Sequence, residues 1–332
     1  MILVDTLDFT APSAPEQAQT LLPVKNASFG EDLMYILKKG MEQFHPDLIA
    51  AAGVCLSLIA IVLLVSLLKR FSGKAEKTVI LSGVVTVGIL LLKESNTLIQ
   101  MAADTVRTIS EYGKLLLPVL TGVMAAEGGG VTSAALYAGT AFFDAVLCAL
   151  IASCLVPMVY MFLVLSVANC ATGESLLKGM ADLVKSALTW SLKTILYVFT
   201  AYMGITGVVS GTADAAALKA TKLTISGMIP VVGGILSDAS EAVIVGAGVM
   251  KSAVGVYGLL VFIAVLLSPF VKIGAQYLLL KCTAAVCDML GVKEISGVIK
   301  AFTTAMGILL GMTGAVCMMQ LISTVCFMKG FH

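Results

Sequence analysis

The chain has 332 residues, of which 59% are hydrophobic and only 12% charged, with a mean hydropathy of +1.02. Soluble domains are about a quarter charged, so this composition argues against a water-soluble fold. A net charge of +1, with Arg70 and Arg107 as the only arginines, leaves no basic face to neutralise a row of phosphates, which excludes nucleic acid as a partner.

His45 and His332 are the only histidines, too few for a histidine-based zinc site or a Ser-His-Asp arrangement. The sequence therefore offers no catalytic residue, no cofactor site and no metal site. Cys55, Cys148, Cys154, Cys170, Cys282, Cys287, Cys317 and Cys326 lie mostly within apolar runs and never as Cys-x-x-Cys. They read as buried free thiols, and the 17 methionines as packing fillers.

In chain order, residues 1–46 read as an extracytoplasmic tail. Thr10, Pro12, Ser13, Pro15 and Glu16 suit extended chain, and a short amphipathic helix is expected from Glu31 to Phe44. Met1–Thr10 lacks the basic start, long apolar run and small-residue cleavage site of a secretory signal, so a tail outside the cell implies a signal removed or left out. Residues 47–332 read as a transmembrane domain. Leu48–Leu68 carries no charge and is long enough to cross a hydrocarbon layer of roughly 30 Å. Lys69, Arg70, Lys74 and Lys77 follow at once, a cytoplasmic anchor under the positive-inside rule. Thr78–Leu92 reads as a short second crossing that completes the leading helices over 47–95. From Asn96 to Tyr112, apolar Leu98, Ile99, Met101, Ala102, Val106 and Ile109 alternate helically with Asp104, Arg107 and Glu111, which predicts a helix lying at the interface.

The chain also matches itself. Leu117–Met124 resembles Ile229–Leu236, placing Pro118 against Pro230. At the same offset Pro157 falls against Pro269 and Cys170 against Cys282, and Gly204-Ile205-Thr206-Gly207 resembles Gly311-Met312-Thr313-Gly314. Collinear matches favour an internal duplication, with one repeat over 96–210 and a second over 211–328. Such duplications recur in transporter folds. The long apolar stretches Thr132–Cys170 and Ala242–Leu280 are each expected to break, tilt or cross twice. The lysine-rich loops after them, with Lys178, Lys185 and Lys193 in one and Lys281, Lys293 and Lys300 in the other, point to a shared side and parallel repeats.

Pro118 with Gly122 and Gly128-Gly129-Gly130, and Pro230 with Gly233-Gly234, are where a helix would most easily unwind. Irregular backbone at membrane depth requires a wet cavity or cover by protein, so two broken, re-entrant segments beside a pathway are expected, against the alternative of ordinary interfacial loops. Gly130 and its neighbours lack the Gly-Lys-Ser/Thr of a phosphate loop. Glu127 follows the first break, and Asp238 and Glu241 the second, where an acid can bind a cation, relay a proton or merely cap a helix in headgroup water. Asp144 and Lys251 lie within the apolar stretches, as does Lys272, and an Asp144–Lys251 pair would relieve two burial costs. Gly207 with Gly211 and Gly307 with Gly311 form small-xxx-small faces suited to close helix packing. Trp190 suits an interfacial anchor at the start of a helix over Ala187–Val209.

The run from Lys222 through Ile229-Pro230-Val231-Val232-Gly233-Gly234-Ile235-Leu236-Ser237-Asp238-Ala239-Ser240-Glu241, followed by Lys251-Ser252-Ala253-Val254-Gly255-Val256-Tyr257-Gly258, closely resembles the stage III sporulation protein AE family. Gly129-Gly130-Val131-Thr132-Ser133-Ala134-Ala135 is similar to that family's other marker. The resemblance runs from about residue 30 to the end. Members of the family usually begin with a cleavable signal.

The resemblance implies a multi-pass inner-membrane protein of the mother cell, in the membrane around the forespore. It further implies a complex with other stage III sporulation A-operon proteins, namely a secretion-type ATPase and membrane and ring-forming subunits, that joins a forespore partner to form a channel. The sequence reading is thus an all-α polytopic bundle of about seven spans, serving as a permease-like or export-gate-like subunit. An autonomous proton- or ion-coupled transporter and a passive scaffold are the alternatives.

Overall fold

The computed structural model describes residues 11–23, 29–126, 130–205 and 253–329. These form α1 (Glu16–Gln19), α2 (Phe29–Phe71), a 3-10 turn (Gly73–Ala75), α3 (Glu76–Ala126), α4 (Gly130–Leu150), a π-helical turn (Ile151–Leu155), α5 (Val156–Thr172), α6 (Ser175–Ile205), α7 (Ala253–Met289) and α8 (Lys293–Lys329). No strand occurs among the described residues, so the class is all-α. A helix bonds its own N–H and C=O groups internally, which is what runs this apolar require in lipid.

Among the described residues, five segments are long and apolar enough to cross a membrane: Leu48–Phe71, Gly73–Val123, Leu136–Thr172, Val254–Met289 and Lys293–Met328. That is fewer than the expected seven or so, and residues 206–252, where the second broken segment was placed, lie outside those described.

Several expected boundaries dissolve. The amphipathic stretch Glu31–Phe44 and the span at Leu48–Leu68 are one helix of 43 residues. The tail before it is not simply extended: α1 packs against α7, and Ala14, Ala18 and Leu21 are buried. The short crossing at Thr78–Leu92 and the interfacial helix at Asn96–Tyr112 both belong to α3, a single helix of 51 residues. At 1.5 Å per residue α3 is about 75 Å long, more than twice the hydrocarbon thickness, so its charged part needs no separate element. Its stripe of Ile99, Ala102, Val106 and Ile109 is buried in the protein, while Lys93, Glu94, Asp104, Arg107 and Glu111 stay exposed.

Pro118 does not break the chain either. It lies inside α3, which continues to Ala126. Its ring is exposed while Leu116, Leu117 and Leu120 beside it are buried. Packing of this kind against neighbouring helices lets a helix tolerate proline. Near Pro157 the first apolar stretch changes helix type without interruption, the π turn leading into α5 with Pro157 in its first turn. Pro269 lies inside an unbroken α7.

Three connections gather at one end of the bundle. Ser66 Oγ of α2 donates to the Leu290 carbonyl in the α7–α8 turn (3.3 Å), and a Cβ on Gly297 of α8 would lie 2.9 Å from Cys170 Sγ of α5. The α5–α6 and α7–α8 turns both close on a left-handed glycine, Gly173 (φ 75°) and Gly291 (φ 78°), the backbone that glycine adopts without Cβ strain. This end carries Lys69, Arg70, Lys74 and Lys77 together with Lys178, Lys293 and Lys300, the last paired with Asp288 at 2.7 Å. Helix α8 runs up the middle, packed on α3, α4, α5, α6 and α7.

Candidate functional site

Among the described residues, a polar seam forms where α3, α4 and α8 meet. Asp144, in the apolar helix α4, is 2% exposed. Ser110 of α3 donates from Oγ to Asp144 Oδ2 at 2.5 Å, and Gln320 of α8 donates from Nε2 to Oδ1 at 2.7 Å. One turn earlier in α4, Thr140 Oγ1 donates to Ser323 Oγ at 3.2 Å. Residues 140 and 144 thus meet 323 and 320 in reverse order, so α4 and α8 run antiparallel along the seam. Gln320, Ser323 and Thr140 are fully buried.

The seam exists because small residues make room for it. A Cβ on Gly113, three residues after Ser110, would come within 2.6 Å of Gln320 Nε2 and 2.8 Å of Oε1. Gly113 therefore lets the Gln320 amide lie flat against α3. Two buried polar atoms of the region meet no hydrogen-bond partner, Gln320 Oε1 and the Tyr112 hydroxyl. The Tyr112 ring packs edge-on against Phe262 of α7, with centroids 5.3 Å apart. Beside the seam, Arg107, Glu111 and Lys114 are exposed on α3 around Ser110. Asp144 therefore stands level with a charged helix face rather than within a purely apolar layer.

The sequence singled out Asp144 but not its partners. The suggested mate, Lys251, lies outside the described residues; within them, Ser110 and Gln320 are the side chains that hydrogen-bond Asp144. Gln320 could have been found as a lone amide late in the apolar run Met306–Met328. Ser110 left no comparable signal. Of the expected pathway residues, Pro118 and Gly122 lie on α3, and Gly130 opens α4. Glu127, Gly128, Gly129, Pro230, Gly233, Gly234, Asp238 and Glu241 lie outside the described residues, as do Gly207 and Gly211. Gly307 is half-buried on α8, whereas Gly311 is buried there, and a Cβ on it would meet Leu192 of α6 at an ordinary 3.9 Å. Lys272 is half-buried on α7, Trp190 is exposed on α6, and all eight cysteines are free thiols.

Residues 17–330 match the family model for stage III sporulation protein AE. The chain belongs to that family. Among curated proteins it is similar to the Stage III sporulation protein AE of Bacillus subtilis (strain 168), 25% identical over 203 residues that cover 61% of this chain and 51% of the relative. The match thus spans about half the length of that relative. No solved structure matches the chain. The stretch shared with the stage III sporulation protein AE family takes in every residue of the seam, together with most of α1 and all three lysine-bearing turns.

Proposed function

We propose that this member of the stage III sporulation protein AE family is a permease-like, export-gate-like subunit of a sporulation channel in the mother-cell membrane around the forespore. Its partners in this reading are the other stage III sporulation A-operon proteins, with energy from a secretion-type ATPase, and a forespore channel partner. The observation that carries the reading is the seam itself. Five apolar helices of spanning length enclose a carboxyl group and a row of hydroxyl and amide side chains, and polar groups inside such bundles mark pathways more often than lipid contacts do. The gathering of the three turns and their lysines at one end supports a shared cytoplasmic side.

The test is thiol accessibility in a cysteine-free variant that still supports sporulation, with single cysteines placed over 118–130 and 230–241 and a membrane-impermeant reagent added from each side. Labelling within both segments is the expected result. Protection throughout would leave the chain a scaffold whose conducting path lies in other subunits. A second reading, an autonomous proton- or ion-coupled transporter, is favoured by Asp144 alone. It requires that Asp144→Asn abolish transport by the purified chain with no ATPase present.

A further inference from the structure

Among the described residues, Asp144 accepts hydrogen bonds from two neutral donors, Ser110 and Gln320, and from no cation. On α3 the charged neighbour is Lys114, whose field reaches the carboxyl group, but its side chain is exposed and does not bond to it. On α4 itself the titratable neighbour is Cys148, one turn on. From α8 the facing groups, Gln320 and Ser323, are neutral. Helix α6 contributes Tyr202, set against Phe143, and α7 contributes Tyr257, set toward Tyr112. An ionised carboxylate enclosed by neutral donors lacks the countercharge that would offset its lost hydration.

Gln320 supplies what a proton there would need. Its Oε1 is fully buried and, among the described residues, without a hydrogen-bond partner, and it belongs to the same planar amide whose Nε2 touches Asp144. A half-turn about the terminal bond of a glutamine exchanges its oxygen and nitrogen with almost no change of shape. With Asp144 ionised, Nε2 donates to Oδ1. With Asp144 protonated, the turned amide presents Oε1 to accept from the carboxylic O–H, Nε2 takes the position Oε1 held, and Ser110 still donates to the other carboxyl oxygen.

We infer that Asp144 is a proton-binding site whose carboxylic O–H is held by the Gln320 carboxamide, and that proton occupancy closes the contact between α3, α4 and α8. The step is a simple transfer: the carboxylate takes a proton from water at the exposed Arg107, Glu111 and Lys114 face of α3, and the same route returns it. Loss of the proton leaves a buried charge held, among the described residues, by neutral donors alone, and loosens the three-helix contact. This holds whether the chain gates a channel or drives transport, so its failure and the failure of either reading are separate events.

Infrared spectroscopy of the intact chain reconstituted in phosphatidylcholine vesicles tests it. At neutral pH a protonated-acid carbonyl band is expected that shifts in deuterium oxide, vanishes in Asp144→Asn, and changes frequency in Gln320→Leu, which removes the acceptor. Raising the pH should remove the band and speed amide hydrogen exchange over 140–147 together, and Asp144→Asn should abolish that pH dependence. If Asp144→Asn fails to fold, Asp144→Glu, which keeps an acid in place, should shift the band and its titration rather than remove them. The inference is overturned if no acid band depends on residue 144, or if sodium ions rather than protons shift the carboxylate bands of that residue. It is equally overturned if the band titrates while exchange in α4 stays constant.

Discussion

Helices α2 and α8 invert the rule that governs soluble proteins. The outer half of α2, Leu48–Phe71, is the most apolar of the five spans, yet only 22% of its most apolar stretch is buried, and Leu56, Leu63, Leu64 and Leu67 face outward. Helix α8 is less apolar and carries Thr313, Gln320, Ser323 and Thr324, yet 89% of its corresponding stretch is buried. In water the apolar face turns inward. In a bilayer, lipid tails are as apolar as leucine, so burying leucine gains little, whereas polar side chains and close backbone contacts do gain from a protein neighbour. The contrast teaches that the organising surface of this fold is the polar and small-residue seam along α8, with the most hydrophobic helix outermost.

The sharpest way to break that comparison is to fill the space that Gly113 leaves for Gln320. In Gly113→Leu the new side chain starts 2.6 Å from Nε2, and Gln320 cannot yield without giving up Asp144. Overpacking of this kind costs about 3 kcal/mol at the upper end of its usual range, measurable by reversible unfolding in mixed detergent. Native stability in this variant would mean that α3 and α8 do not meet there. Asp144→Ala should come next, at about 2 kcal/mol, because it leaves the buried Gln320 amide without an acceptor while Ser110 can turn back to its own helix. A double variant with Gln320→Leu should recover part of that loss, since removing both partners orphans nothing. Strict additivity of the two would show that they do not interact.

Much of this was legible in the sequence, and what was missed has a physical reason. Composition and the uncharged run Leu48–Leu68 gave the class and the first span, because spanning length and the lack of charge are properties of the sequence itself. Asp144 stood out because an acid inside an apolar run is costly wherever it lands. The segmentation of α3 was misread because Lys93, Glu94, Asp104, Arg107 and Glu111 looked like membrane boundaries. They line one exposed face of a helix that outruns the bilayer, and period alone does not report helix length. Pro118 was misread as a break for a related reason: whether proline interrupts a helix depends on what else satisfies the freed carbonyls, which is a tertiary fact. Ser110 and Gln320 were missed because their significance lies in meeting Asp144 across three helices.

Two smaller effects sharpen the contrast from either side. Ser323→Ala removes the seam's third hydrogen bond, from Thr140, and interhelical bonds of this type in membranes are worth about 0.6 kcal/mol. Its effect should be just resolvable by the same unfolding assay. Leu64→Ala on α2 tests the outer face. Leu64 is 57% exposed, so trimming it in lipid exchanges leucine–lipid contact for lipid–lipid contact and should cost less than about 0.5 kcal/mol, the range of ordinary surface changes. The same truncation in a packed core costs about 2–5 kcal/mol, because it leaves a cavity that neighbours cannot fill. A loss of that size for the chain alone in detergent would mean that α2 packs against protein in the isolated chain. If the loss appears only in sporulating cells, as failed assembly with normal stability of the isolated chain, the face of α2 belongs to a partner subunit. The apolar helix would then lie outermost in this chain but not in its complex.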